Sequence, residues 1–231
     1  MHCYMFRGDE RYNRNPNEVH KTSTFKLPVQ KDRFGQYKIP SNTTIFTCFT
    51  SDFFLEEADE WRKEVYRMMK ERSDCHFFLT TKRIDRFYVS LPDDWELGYP
   101  NVTIAVTIEN QRQADLRLPI YMQLPIQHKC ILLEPLLEKV DIRKYLDNIE
   151  ELVVGGESGP EARPCDYAWV LDLRSQAQAK GINFTFKQTG AHFIKEGRAY
   201  RLERRLHASQ AKKAQIDLFY RRLSYQNEEE V

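Results

Sequence analysis

Short runs of β-branched and aromatic residues recur roughly every 20–30 residues along this chain, with longer amphipathic stretches between them. Six runs read as strands: Thr44 to Phe49, His76 to Thr80, Val102 to Thr107, Lys129 to Leu133, Glu151 to Val154 and Ile182 to Phe186. Several are almost continuously apolar, the pattern of strands covered on both faces in a parallel sheet. The stretches between them read as helices. Asp52 is placed to cap the first, whose early turns carry Glu56, Glu57, Asp59 and Glu60 and whose far end carries Arg67, Lys70 and Arg72. That order suits the helix dipole. Trp61, Val65, Met68 and Met69 lie on one stripe of it. Tyr167 to Lys180 reads as a second helix with Gly181 as its stop. Arg112 to Leu118 is shorter, ended or bent by Pro119, and Asp141 to Leu146 holds at most a turn or two. Before Ile45, Asn13 to Asn17 is a polar turn region and Lys26 to Pro40 an irregular excursion with the marks of a hairpin. Strand–helix alternation implies an α/β fold with right-handed crossovers, either an open doubly wound sheet or most of a (β/α) barrel.

Composition narrows the setting. A chain of 231 residues builds a core without disulfides. Its 35 Lys+Arg and 34 Asp+Glu leave a formal charge of +1, which excludes a bulk polycation and an acidic solvating tail. No apolar stretch approaches the ~18 residues of a spanning helix. The N-terminus, Met1-His2-Cys3-Tyr4-Met5-Phe6-Arg7, has no signal-peptide core. These features predict a cytoplasmic protein with no membrane partner. Five widely spaced cysteines, none in a C-x-x-C pair, fit a reducing compartment, with Cys48 and Cys130 expected as small buried hydrophobes inside strands. The six histidines show no nucleophile or metal spacing, so a hydrolase reading is weak.

From Ala191 to Asn227 the composition changes to nine basic residues against three acidic ones. Such a zone is either a solvated helical face or a phosphate-tracking surface, with Arg204, Arg205, Lys212 and Lys213 as its nucleic-acid candidates. Tyr200, Phe219 and Tyr220 either stack on bases or anchor this segment.

In parallel α/β folds ligands bind beyond the carboxyl ends of the strands. Those ends carry Asp52, then Lys82 and Arg83, then Glu109 and Asn110, then Glu134, then Gly155-Gly156-Glu157-Ser158-Gly159, then Lys187 and Gln188. Each has a plainer role open to it: Asp52 as a helix cap, Lys82 and Arg83 as an exposed pair, Glu109 and Asn110 as the opening of the next helix, and Glu134 and Lys187 each as one side of a structural salt bridge with a partner the sequence does not name. Glu134, Glu157 and Lys187 in one mouth would perturb one another, as functional groups do. The glycine-rich turn allows close backbone approach, but it matches neither the dinucleotide fingerprint nor the phosphate loop.

Taken in order, these segments resemble a phage and bacterial family of unknown function. The resemblance rests on Cys3-Tyr4 with Arg7, Ser51-Asp52-Phe53-Phe54, Thr81-Lys82-Arg83, Glu109-Asn110-Gln111, Glu134-Pro135-Leu136, Gly155 to Pro160 with Arg163, and Phe186-Lys187-Gln188. That family is known for an N-terminal three-cysteine motif and is regarded as a distant relative of radical S-adenosylmethionine enzymes. The resemblance implies a partial (β/α) TIM-like barrel over residues 1–190 with at least six parallel strands, followed by a basic helical extension over 191–231 packed on or trailing from it. It also implies a [4Fe–4S] cluster and S-adenosylmethionine in a full-length form. Here only Cys3 matches a ligand position, the last of the three; the other two cysteines and the first barrel strand would fall before Met1. The chain as given is therefore expected to hold no cluster, as a truncated copy or one with a late start would. Two functions follow as expectations: a radical-SAM-like barrel protein acting on nucleic acid or a nucleotide, or a non-catalytic accessory module that binds nucleic acid or a protein.

Overall fold

Parallel pairing decides the architecture. In the computed structural model, which describes residues 8, 11–13, 15, 17–221 and 223, six strands form one sheet. They are β1 (Thr44–Thr47), β2 (His76–Thr81), β3 (Val102–Thr107), β4 (His128–Leu133), β5 (Glu151–Gly155) and β7 (Asn183–Gln188). Every neighbour pairs in parallel, in the order β1-β2-β3-β4-β5-β7. The sheet curls into a half-barrel. A second sheet joins β6 (Cys165–Asp166), β8 (His192–Lys195) and β9 (Arg198–Arg201), with β8 and β9 antiparallel.

Residues alternate between the two faces of the large sheet. Leu79, Ile104, Ile131, Leu152 and Phe184 belong to the main core under the helices. The opposite face buries Phe78, Ala105 and Cys130, with Leu132 and Val153 beside them. It also carries a polar layer near the start of the strands. There His76 Nε2 lies 2.8 Å from Thr103 Oγ1, and Thr185 Oγ1 donates to Glu151 Oε1 at 2.5 Å. Burial of both faces explains the unbroken apolar runs.

Helices α1 (Asp59–Glu71), α2 (Gln111–Gln123), α3 (Tyr167–Lys180) and α4 (His207–Lys213) accompany the sheets. Helix α3 has its expected bounds, and Gly181 closes it in the left-handed conformation at φ 63°. The others correct the sequence reading. Asp52 caps no helix: a 3-10 turn at Glu56–Ala58 precedes α1, because Phe53 and Phe54 are first folded into the core. The buried side of α1 carries Arg62, Tyr66, Met68 and Met69, while Trp61 and Val65 are only half-buried. Helix α2 runs through Pro119 to Gln123, held by fully buried Leu118 and Tyr121. The Tyr121 hydroxyl donates to the Ile104 carbonyl and accepts from the Cys130 amide, spanning β3 and β4. Residues 141–146 contain only a 3-10 turn, Arg143–Tyr145. Cys48 lies just past β1 at φ 61°, half-buried rather than inside the strand.

Two buried arginines tie irregular segments to this frame. Arg62 is satisfied by Asp59 and the carbonyls of Phe53, Leu55 and Val89. Arg72 binds Asp74 and the carbonyls of Pro28 and Ile39, with its guanidinium 4.2 Å from the Tyr37 ring centre. It therefore anchors the excursion over 26–40, where Lys31 and Tyr37 do form an antiparallel bridge. Without such partners a buried guanidinium would be strongly destabilising. At the other end of the chain α4 packs along β7, Leu218 bridges to Phe184, and Arg221 Nη2 donates to the Ile149 carbonyl at 2.7 Å. The helix expected in the basic segment is α4, and the β8–β9 hairpin precedes it.

Candidate functional site

All six parallel strands end on the same side, so the polar groups that follow them gather along one rim. Asp52, after β1, reaches across to β2: its carboxylate accepts from Thr81 Oγ1 at 2.8 Å and the Lys82 amide at 2.7 Å, and pairs with Arg83 Nη1 at 3.2 Å. Lys82 turns the other way, its Nζ 2.6 Å from Glu109 Oε1 after β3. Glu109 holds a second cation, with Arg117 Nη1 of α2 at 2.7 Å from Oε2. Burial alone would raise the Glu109 pKa, but Lys82 and Arg117 together hold it below the usual carboxylate value. Asn110 caps α2, accepting from the Gln113 amide at 2.9 Å.

Glu134, after β4, spans the last two strands. Its Oε2 binds Lys187 Nζ at 2.7 Å and its Oε1 binds Gln188 Nε2 at 2.6 Å. The bare Gly155 of β5 lies between, where a Cβ would stand 3.2 Å from Glu134 Oε1 and 3.0 Å from Gln188 Cγ. Glu157 forms a two-toothed pair with Arg163, Nη2 to Oε1 at 2.6 Å and Nε to Oε2 at 2.9 Å. That pair pushes the Arg163 pKa further up, with Glu109 adding to the same field. Ser158 Oγ lies 3.4 Å from Gln188 Oε1.

The glycines serve backbone contact. A Cβ on Gly156 would sit 2.2 Å from the Thr189 carbonyl oxygen, and one on Gly190, at φ 79°, 2.8 Å from the Glu157 amide nitrogen. The turns after β5 and β7 are thus packed backbone to backbone.

One arrangement repeats along the rim. In the pairs Lys82–Glu109, Arg83–Asp52, Arg163–Glu157 and Lys187–Glu134 the cation side chains are 45–51% exposed and the carboxylates only 9–19%. The acids lie beneath and the cations face outward. Near the top of β1, Phe46 adds an aromatic ring that is 61% exposed. The structure therefore brings together Asp52, Lys82, Arg83, Glu109, Glu134, Gly155, Gly156, Glu157, Ser158, Lys187 and Gln188, with Asn110 turned to a helix start. Arg204, Arg205, Lys212 and Lys213 are on the segment that leads into and forms α4. Sequence reading missed Arg117 and Thr81 as partners. Thr81 stands in the Thr81-Lys82-Arg83 segment but was assigned no role, and Arg117 stands in no motif and reaches the rim from the second turn of a helix.

The family described as protein of unknown function DUF5131 matches residues 1–224. The chain belongs to DUF5131. No curated protein and no solved structure matches it. In this DUF5131 member no described helix is long and apolar enough to cross a membrane.

The described residues do not fit an iron–sulfur cluster. Among them no three His, Cys, Asp or Glu side chains group as metal ligands. Burial pushes the Cys48 thiol up to about 11 and the Cys165 thiol up to about 12, away from the thiolate a cluster needs. Cys75 is tied to Arg72 and the Pro40 carbonyl. Cys3, the position that matches the family motif, lies outside the described residues.

Proposed function

We propose that the rim of the half-barrel is a recognition site for a phosphate-bearing ligand, a nucleotide or the end of a nucleic acid, in keeping with the radical-SAM-like resemblance of the chain. The observation that carries this reading is the set of four outward cations seated on carboxylates that are more shielded than they are. A lysine or arginine held in this way is pre-positioned, so an incoming anion gains charge-assisted hydrogen bonds without ordering a loose side chain. The two cations on Glu109 leave Lys82 the most available of them. The exposed Phe46 ring gives an apolar wall against which a base can lie. Backbone packing at Gly156 and Gly190 fixes the turns that present Arg163 and Lys187. The recognition argued here does not depend on an iron–sulfur cluster or S-adenosylmethionine.

Calorimetric titration with ATP, AMP and adenosine tests the reading. ATP should bind more tightly than AMP, adenosine should show no heat in the same range, and affinity should fall as salt rises. The double variant K82Q/R83Q leaves Glu109 with Arg117 and leaves Asp52 its hydrogen bonds, so the fold should persist while ATP affinity drops at least tenfold. K82R should restore most of what K82Q loses. Equal binding of adenosine and ATP, or no effect of K82Q/R83Q, overturns the proposal.

A further inference from the structure

Beyond the rim, the cations change character. From Lys195 to Lys213 the chain carries seven basic residues and two acidic ones. Among the described residues, Lys195, Arg198, Arg201, Arg204, Lys212 and Lys213 form no ion pair; Arg205 alone of the seven is paired, with Glu203. Like charges held together without counter-charges repel one another, and an anionic partner relieves that repulsion.

The β8–β9 hairpin arranges some of these cations on a surface. Strand β9, Arg198–Arg201, is exposed at all four residues and is the outer strand of its sheet. Beside it lies a groove of about 430 Å³ lined by Pro164, His192, Ile194, Ala199, Tyr200 and Arg201. Its lining joins the apolar Pro164, Ile194 and Ala199 to Tyr200 and Arg201. Tyr200 is 43% exposed, so part of this aromatic residue is accessible to a ligand. This surface continues from the rim. Pro164 follows Arg163 directly, and the Ala191 amide donates to the Glu157 carbonyl at 2.8 Å while the Leu202 amide donates to the Ala191 carbonyl at 2.9 Å. The near end of the hairpin is thus fastened to the turn that carries the Glu157–Arg163 pair, and its far end closes on Ala191.

We propose that the β8–β9 hairpin is a track for single-stranded nucleic acid that leads to the rim, with a base against Tyr200 in the groove and phosphates on Arg198, Arg201 and Arg204. This deepens the phosphate reading of the rim by naming a polynucleotide as the ligand, and it rests on that reading for where the strand leads. A single strand is favoured over a duplex because the groove and the ring address a base face, which a duplex keeps stacked.

Fluorescence anisotropy with labelled 12-mers of dT and of U, and with a 12-base-pair duplex, tests it alongside the ATP titration. The triple variant R198Q/R201Q/R204Q should weaken 12-mer binding at least tenfold at low salt and flatten the dependence of log K on log salt by about 2. Its ATP affinity should stay within twofold. K31Q/R33Q, which removes exposed charge elsewhere, should leave 12-mer binding unchanged. If the triple variant unfolds, Y200L alone should still weaken 12-mer binding several-fold. The dT and U arms decide between DNA and RNA as the natural source. Tighter binding to the duplex, unaltered 12-mer binding in the triple variant, or no 12-mer binding at low salt overturns the track. A track that behaves as expected in a protein that ignores ATP would sink the rim reading alone.

Discussion

His76 is a residue whose environment changes its protonation within a pH range the folded protein can be tested in. Burial first, and then the charge of His128 whose ring lies 6.0 Å away, lower its pKa from 6.5 to about 4, while Glu150 works weakly the other way. The folded protein therefore keeps His76 neutral where the unfolded chain takes up a proton. Its contribution to stability is complete above pH 6.5 and is lost as pH falls towards 4, amounting to on the order of 3 kcal/mol. His128 has the opposite sign: Glu150 raises its pKa, so its contribution is present at low pH and lost as pH rises through the folded value. Denaturant titrations at stepped pH should show a shallower acid-side loss in H76Q than in the parent. Parallel curves for the two proteins between pH 6.5 and 4 would contradict this assignment. In the sequence His76 opens a strand run, which located it; nothing in the sequence showed that Thr103 and His128 would meet it on the inner face.

At the scale of elements, strands were easier to read than helix starts. A strand buried on both faces announces itself by composition, and each of the six runs became a strand within a few residues of its expected bounds. Helix beginnings depend on which polar side chain wins a local competition. Asp52 looked like a cap, yet the neighbouring strand end offers it a hydroxyl and an amide, and it bonds those instead. Asn110 faces no such rival and caps α2. Replacing it with alanine should lower stability by about 1 kcal/mol in chemical denaturation, and an unchanged midpoint would show that the cap contributes nothing. Pro119 misled because the rule against internal proline is local, whereas the burial of Leu118 and Tyr121 is tertiary.

For the whole molecule, the sequence displayed the rim residues but not their pairing. Alternation of strand and helix marks where each strand ends, so the groups there could be named; which carboxylate meets which cation depends on the order, curl and stagger of the strands. Glu134 meets Lys187 across β5 because Gly155 leaves the space open. Taking the cation alone, as in K187Q, strands a shielded carboxylate and should reduce stability by about 2 kcal/mol. Thermal unfolding should then show most of that loss recovered in E134Q/K187Q. A double variant no more stable than K187Q would mean that the two side chains are not energetically coupled.

The acid-below, base-above layering also constrains how such a rim can change over evolutionary time. A neutralising mutation in one member of a couple is harmful until its mate mutates as well, so the two positions must drift together or stay fixed. A genetic selection begun from a crippled lysine variant would accordingly return compensating changes at the hidden acid, far away in the chain and adjacent in space.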